Sequence, residues 1–379
     1  MSASAPDAGL LARWTAFLGG GEPDLFEGAL LISLLVDPDE DLDAARRRVA
    51  ELAGRVREDP EGLLPGLRRV LFEEEDFRGD SESYDEPSNS SVARVLARRR
   101  GMPITLSIAT VEVGRLAGLR LTGVGLPGHF VVGGADLGGR YLDPFDGGTL
   151  GEPEQLSERL ARIFGAPVAL TENALRPDST RDILARVLLN LRRSWERRHR
   201  WEEALAALTL SEALEHESGP VQRERGLLLL KCGRNEEAIA SFEAYLATPG
   251  TEDAGPIRRL LETVRGGGRP RSGEASEGEA PERRIFTLEE AKALLPRVRE
   301  LTEEAAARYG QLTIDMETER HDLVSRWAKE LTSLGLEIKG LWLVDFDSGA
   351  GYYCWKYPER DLAHFHSYDE GFAGRVPLQ

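Results

Sequence analysis

The chain has 379 residues, enough for two or three domains, with 41% hydrophobic and 30% charged residues, a folded rather than a disordered composition. A formal net charge of −17 excludes general nucleic-acid binding, because a phosphate backbone would be repelled. Only Cys232 and Cys354 are present, so there is no disulfide framework, and free thiols suit a reducing compartment. The opening MSASAPDAGLLARW has no signal-peptide pattern, and the apolar run Ala29–Val36 is too short to span a bilayer. The expectation is a cytoplasmic protein with neither a membrane nor a nucleic-acid partner. The basic stretches Arg98–Arg100 and Arg192–Arg200 fall in helical patterns and read as solvated faces making internal ion pairs.

From Leu10 to about Phe77 the pattern is helical and acidic. Phe26, Leu30, Leu31 and Leu34 recur at helical spacing, and Asp37–Pro38 ends that helix. Ala44–Val56 predicts a second helix and Leu63–Phe72 a third. The polar stretch Gly79–Ser91 is a turn-rich loop in which Asn89, Ser90 or Ser91 caps a fourth helix. That short helix, Ser91–Arg100, is ended by Gly101, and Pro103 opens the next one, where its missing N–H costs nothing. The helix that Pro103 opens, ITLSIATVEVGRLAG, is apolar on most sides and is expected to be buried. Three strands should come after it, at Leu119–Val124, Phe130–Val132 and Tyr141–Asp143. A buried helix feeding an antiparallel sheet indicates an α+β domain.

The stretch GVGLPGHFVVGGADLGGRYLDPFDGG sets His129 on one strand and Asp143 on the next. These are two thirds of a Cys-His-Asp hydrolase or acyltransferase site. The missing third would be a thiol at the start of the buried helix, where the helix dipole and the imidazole lower its pKa. The helix instead opens Gly101–Met102–Pro103–Ile104–Thr105–Leu106–Ser107, and neither cysteine is placed to substitute. Three readings stand. His129 and Asp143 brace neighbouring strands; or their cleft binds a peptide or small ligand without chemistry; or Ser107 or Thr105 is the nucleophile of a serine-dependent amidase or acyltransferase. A helix dipole cannot ionise a hydroxyl, so the third reading depends wholly on close contact with His129.

From Thr180 the chain reads as all helix, with an internal repeat: RWEEAL (Arg200–Leu205) and RNEEAI (Arg234–Ile239) are 34 positions apart, the tetratricopeptide period. Gly226, Ala238 and Phe242 fall where that motif wants two small residues and an aromatic. Two units and a capping helix near Ile257–Val264 are too few to stand alone, so the array should lean on the preceding domain. Its groove is the expected surface for a protein or peptide partner. Gly266–Arg284 is a linker of glycine, proline, serine and charge. Beyond it, Thr287 and Glu290 form a capping box at the head of a long amphipathic helix, and a second runs from Thr318 to Leu334. These satisfy either a helical hairpin or a coiled-coil dimer. LWLVDF and YYCWKY then read as hairpin strands, with a third strand at Leu362–His366.

Residues 25–264 resemble the SirB-type proteins, a bacterial family with a transglutaminase-like domain followed by tetratricopeptide-like helices. The matching blocks are YDEPSNSSVARVLARRRGMPITLSIATVEVGRLAGL, GVGLPGHFVV and YLDPFDGG. The resemblance implies that the PxxLS helix start takes the place of the transglutaminase cysteine, with His129 and Asp143 kept. Residues 285–379 are similar to a family of short bacterial proteins known as a domain of unknown function, through FTLEEAKALLP, LGLEIKGLWLVDFDS and YYCWKYPERDLAHFHSYDEGFAGRVPL. PER stands where a Gly-Glu turn is expected. Within this module Cys354, His364 and His366 are candidate metal ligands, and Asp345, Trp355, Lys356, Glu359 and Arg375 candidate ligand-binding residues. The spacing has neither CxxC nor HxxxH, and the alternative is a small core of Trp342, Trp355 and Phe372 ringed by paired polar groups.

The expected organisation is therefore a transglutaminase-like α+β domain at 10–178, helical repeats at 179–265, a linker at 266–284 and an α+β module at 285–379. The expected function is a non-catalytic cytoplasmic adaptor without a cofactor, save a divalent metal in the last module.

Overall fold

Helix starts are set by side-chain caps, of which the sequence pattern anticipates Ser91 and the Thr287–Glu290 box, and Asp24 and Asp41 are added by the structure. Asp24 and Asp41 accept the backbone N–H of Glu27 and Ala44, Ser91 that of Arg94, and Thr287 forms a reciprocal capping box with Glu290. The computed structural model describes residues 8–126, 128–164, 170, 174–214, 219–248, 254–265, 284–312, 317–349, 351–366 and 375–378. The linker expected at 266–284, but for Arg284, and the expected core residue Phe372 lie outside the described residues. The chain divides into two compact units, 1–152 with 176–277, and 153–175 with 278–379. Both are α+β.

In the first unit, helices α1 (Ala8–Gly19), α2 (Leu25–Val36), α3 (Leu42–Arg57) and α4 (Leu63–Arg68) lead to a two-residue strand β1 (Arg78–Gly79). The helix expected to run on to Phe72 changes to π-helical winding over Arg69–Glu74. Helix α5 spans Val92–Arg98 and stops earlier than expected, because Arg99 turns left-handed (φ 61°). That turn frees β2 (Arg100–Gly101) to pair in parallel with β1. Helix α6 (Pro103–Ala117) begins on proline and ends on Gly118 at φ 108°, which only glycine adopts without strain. It is buried on nearly every side, packed between α3 and the sheet.

That sheet runs in the order β3 (Thr122–Leu126), β4 (His129–Gly133), β5 (Tyr141–Asp143) and β6 (Thr149–Gly151), antiparallel throughout. The observed β4 begins at His129, one residue before the predicted strand, and β6 adds a strand that the sequence pattern does not predict. Helix α7 (Pro153–Phe164) is next in the chain.

Helices α8 (Thr180–Arg197), α9 (Trp201–Glu212), α10 (Gly219–Lys231), α11 (Asn235–Ala247) and α12 (Ala254–Arg265) stack on their neighbours, α8 with α9 and α10 with α11. A Cβ at Gly226 would come within 2.4 Å of the Phe242 ring, so the glycine is what lets α10 and α11 close on that aromatic. No packing boundary separates these helices from the sheet domain: one apolar core runs from Leu10 to Val264. Helix α8 packs on α2, and Trp14 Nε1 donates to the Leu210 carbonyl at 2.9 Å. The basic stretches are ion-paired, Arg98 with Asp80, Arg100 with Asp76, Arg192 with Glu224, Arg197 with Asp85 and Arg198 with Glu86.

In the second unit α13 (Leu288–Gln311) and α14 (Glu317–Ser333) pack together within the chain, Trp327 Nε1 donating to Thr302 Oγ1 at 3.1 Å. Five antiparallel strands come after them in the order β11-β10-β9-β8-β7: β7 (Glu337–Gly340), β8 (Leu343–Asp347), β9 (Tyr352–Lys356), β10 (His364–His366) and β11 (Val376–Pro377). Strands β7 and β11 are not predicted by the sequence pattern. Trp342, at φ 59°, is displaced from the expected strand and packs against Trp327, ring centroids 4.8 Å apart. No helix among the described residues is long and apolar enough to cross a membrane.

Candidate functional site

The β3–β4 hairpin presents His129 at the first position of β4, opposite Leu126. Arg186 of α8 holds the hairpin's end by donating to the carbonyls of Leu126 and His129, the latter at 2.8 Å. Asp143 ends β5, and its side chain does two things. Oδ1 accepts the backbone N–H groups of Phe145 (3.1 Å) and Asp146 (3.2 Å), closing a tight turn. Oδ2 lies 2.7 Å from His129 Nε2. With Nε2 donating to the carboxylate, a neutral His129 ring carries its lone pair on Nδ1. Both side chains are buried, at 6% and 3% exposure. Phe145 meets the His129 ring edge-on, centroids 6.1 Å apart, and itself lies on Gly79, where a Cβ would be 2.4 Å from the Phe145 ring.

Two thirds of the anticipated triad is thus assembled, and the two hydroxyls read as its alternative nucleophiles are hydrogen-bonded elsewhere or isolated. Thr105 Oγ1 donates to the Asn89 carbonyl at 2.5 Å and lies 3.2 Å from that of Met102. Ser107 is fully buried, and among the described residues its Oγ makes no hydrogen bond, to His129 or to any other group. Of the cap candidates, Ser91 caps α5. Asn89 is a loop brace, its amide donating to the Ser83 carbonyl at 2.7 Å. Cys232 lies just past α10, where burial first and then Glu202 push its thiol up to about 12, the reverse of an activated nucleophile.

In the second unit the strand alternation sorts side chains to two faces. Val344, Phe346 and Trp355 join the aromatic core, with Trp342, Trp327 and Phe286. Asp345, Cys354, His364 and His366 share the other face, Cys354 lying directly opposite both Asp345 and His364. Asp345, Cys354 and His366 are nonetheless buried, at 0%, 0% and 3% exposure. Their donor atoms lie within 4.8 Å of one another, and His366 Nε2 is 3.2 Å from Asp345 Oδ2. Burial raises the Asp345 carboxyl above its ordinary range. Burial and then the Asp345 carboxylate raise the Cys354 thiol. The thiol interacts with the carboxylate, yet among the described residues Asp345 Oδ1 has no hydrogen-bond partner of ordinary geometry.

The structure therefore redraws the trio read from sequence. Asp345 takes the place assigned to His364, whose Nδ1 is instead 2.6 Å from Arg375 Nη2. Arg375 also bonds both oxygens of Glu359, at 2.7 and 2.8 Å. Glu359 caps the turn after β9, accepting from Lys356 N, and its carbonyl accepts from Trp355 Nε1 at 2.8 Å. Trp355 is a core residue, and the Lys356 backbone N–H donates to Glu359 Oε2 at 3.0 Å. The proposed ligand-binding set thus splits into a structural turn and a buried donor cluster. The signal that would have separated them is strand register, which spacing alone leaves open.

A profile of the Transglutaminase-like superfamily matches residues 39–189, and one of an uncharacterized conserved protein, DUF2203, matches residues 315–378. The UPF0162 protein of Xylella fastidiosa (strain 9a5c) is 32% identical over 249 residues, 62% of this chain and 88% of that protein. The chain belongs to the UPF0162 family. A UPF0162 protein of Vibrio cholerae is 26% identical over 231 residues, 59% of this chain and 85% of its own. F-box only protein 21 of Mus musculus shares 34% identity over 87 residues, 22% of this chain and 14% of that protein. No solved structure matches. The His129–Asp143 pair lies inside the transglutaminase-like match of this UPF0162 chain, and the Asp345–Cys354–His366 cluster inside the DUF2203 match.

Proposed function

We propose that the chain is a non-catalytic cytoplasmic adaptor, in which a transglutaminase-like fold serves as a binding and bracing scaffold. The observation that carries this reading is the state of the α6 start. No thiol is present there, Thr105 is tied to backbone carbonyls, and Ser107 Oγ touches no base. A general base without a nucleophile to deprotonate has no acyl transfer to perform. Asp143, bonded to two backbone N–H groups as well as to His129, is accounted for by the turn it closes. The stacked helices α8–α12 present paired helical surfaces of the tetratricopeptide kind, suited to an extended peptide segment of a protein partner. Self-association through the outer faces of α13 and α14 is compatible with this role.

The test is reaction of the purified full chain with a serine-directed fluorophosphonate and a thiol-directed acylating probe. No stoichiometric labelling of residues 91–151 is expected. Labelling of Ser107 or Thr105 that disappears in His129→Ala would replace the adaptor with a serine-dependent amidase or acyltransferase.

A further inference from the structure

We propose that the second unit binds one divalent transition-metal ion, zinc by the chemistry of its donors, through Asp345, Cys354 and His366. The three come from three adjacent strands, and register alone brings two of them face to face, Asp345 opposite Cys354. Their donor atoms already lie within 4.8 Å of one another. In a tetrahedral site with bonds of about 2.0–2.3 Å, neighbouring donors are roughly 3.3–3.8 Å apart. The 3.2 Å between His366 Nε2 and Asp345 Oδ2 is close to such an edge.

The second observation is an unmet need. Asp345 is fully buried, yet among the described residues its Oδ1 has no hydrogen-bond partner of ordinary geometry. A buried carboxylate oxygen without a donor has lost its hydration with nothing in return, and the residue beside it is a thiol, a weak donor. A cation resolves both. Thiolate, carboxylate and neutral imidazole together carry two negative charges, so a dication leaves the buried site neutral. Sulfur and nitrogen donors favour zinc over magnesium or calcium. As the metal–Sγ bond forms, the Cys354 proton leaves to solvent, one per ion bound. Tyr352, whose ring lies 5.5 Å from that of His366, helps fix the imidazole. His364 is excluded by its bond to Arg375.

The test is titration of the metal-stripped, reduced full chain with Co²⁺, monitored by thiolate-to-cobalt charge-transfer absorption, and then displacement by Zn²⁺. One equivalent should saturate the band. Cys354→Ser should abolish it, and His366→Gln or Asp345→Asn should weaken binding at least tenfold. His364→Gln and Cys232→Ser should leave it unchanged. A folded wild-type chain with no such band would overturn the site, as would a band that survives Cys354→Ser or vanishes in Cys232→Ser. If Cys354→Ser does not fold, the saturating band of Cys232→Ser still decides, since Cys354 is then the sole thiol. None of these outcomes bears on whether the first unit is catalytic.

Discussion

Each unit sets a histidine ring against a buried aspartate, and the two pairs are completed in different ways. Asp143 has both oxygens engaged, one by His129 at 2.7 Å and the other by two backbone N–H groups. Asp345 has one oxygen engaged by His366, at 3.2 Å, and the other accepts no bond. On the adaptor reading proposed above, the first pair acts as a brace, and on the metal proposal the second is a donor set for a cation. What differs between them is what surrounds each carboxylate.

The sharpest way to break this comparison is to remove each carboxylate. Asp143→Ala strands a buried imidazole and two part-buried turn N–H groups and should lower the unfolding free energy by about 3–5 kcal/mol in urea denaturation. Asp345→Asn in the metal-free chain removes an unmet buried charge and should cost no more than about 1 kcal/mol, or stabilise. Equal losses at the two positions would erase the distinction.

A smaller effect concerns acid. Burial pushes Glu75 of the first unit up, but Arg55 and Arg48 outweigh it and hold its carboxyl below the ordinary range. A folded-state value below the unfolded one means stability present above the unfolded glutamate pKa of about 4.3, and lost as the pH falls through the folded value. Glu75→Gln should cost about 1–2 kcal/mol at neutral pH, and the wild-type advantage should vanish in acid. An advantage that persists at low pH would mean that packing, not charge, is responsible.

The smallest effect tests Ser107. An isolated buried hydroxyl contributes nothing its removal would forfeit, so Ser107→Ala should change stability by less than about 1 kcal/mol, in either direction. A nucleophile would show itself differently, through lost probe labelling at unchanged stability.

Much of this architecture is legible along the chain. Period, capping residues and breakers locate most of the helices, the capping box at Thr287, and the strands carrying His129 and Asp143, because these depend on near neighbours. Beyond the boundary expected at 178/179, Leu184, Val187 and Leu188 of α8 belong to the same apolar core as α2. Local pattern marks a helix as amphipathic but not which domain its apolar face joins. Helix α5 ends early for a similar reason: the pairing of Arg100–Gly101 with Arg78–Gly79 is non-local.

Read alone, the residues established the fold class, the missing thiol before α6 and the two clusters of polar side chains, all properties of composition and short-range spacing. Three-dimensional packing determined that Thr105 Oγ1 bonds backbone carbonyls while Ser107 Oγ bonds nothing among the described residues, and that Asp345 rather than His364 lies with Cys354 and His366. Hydrogen-bond partnership and strand register depend on distances between segments far apart in the chain, and those distances come only from how the segments bury one another.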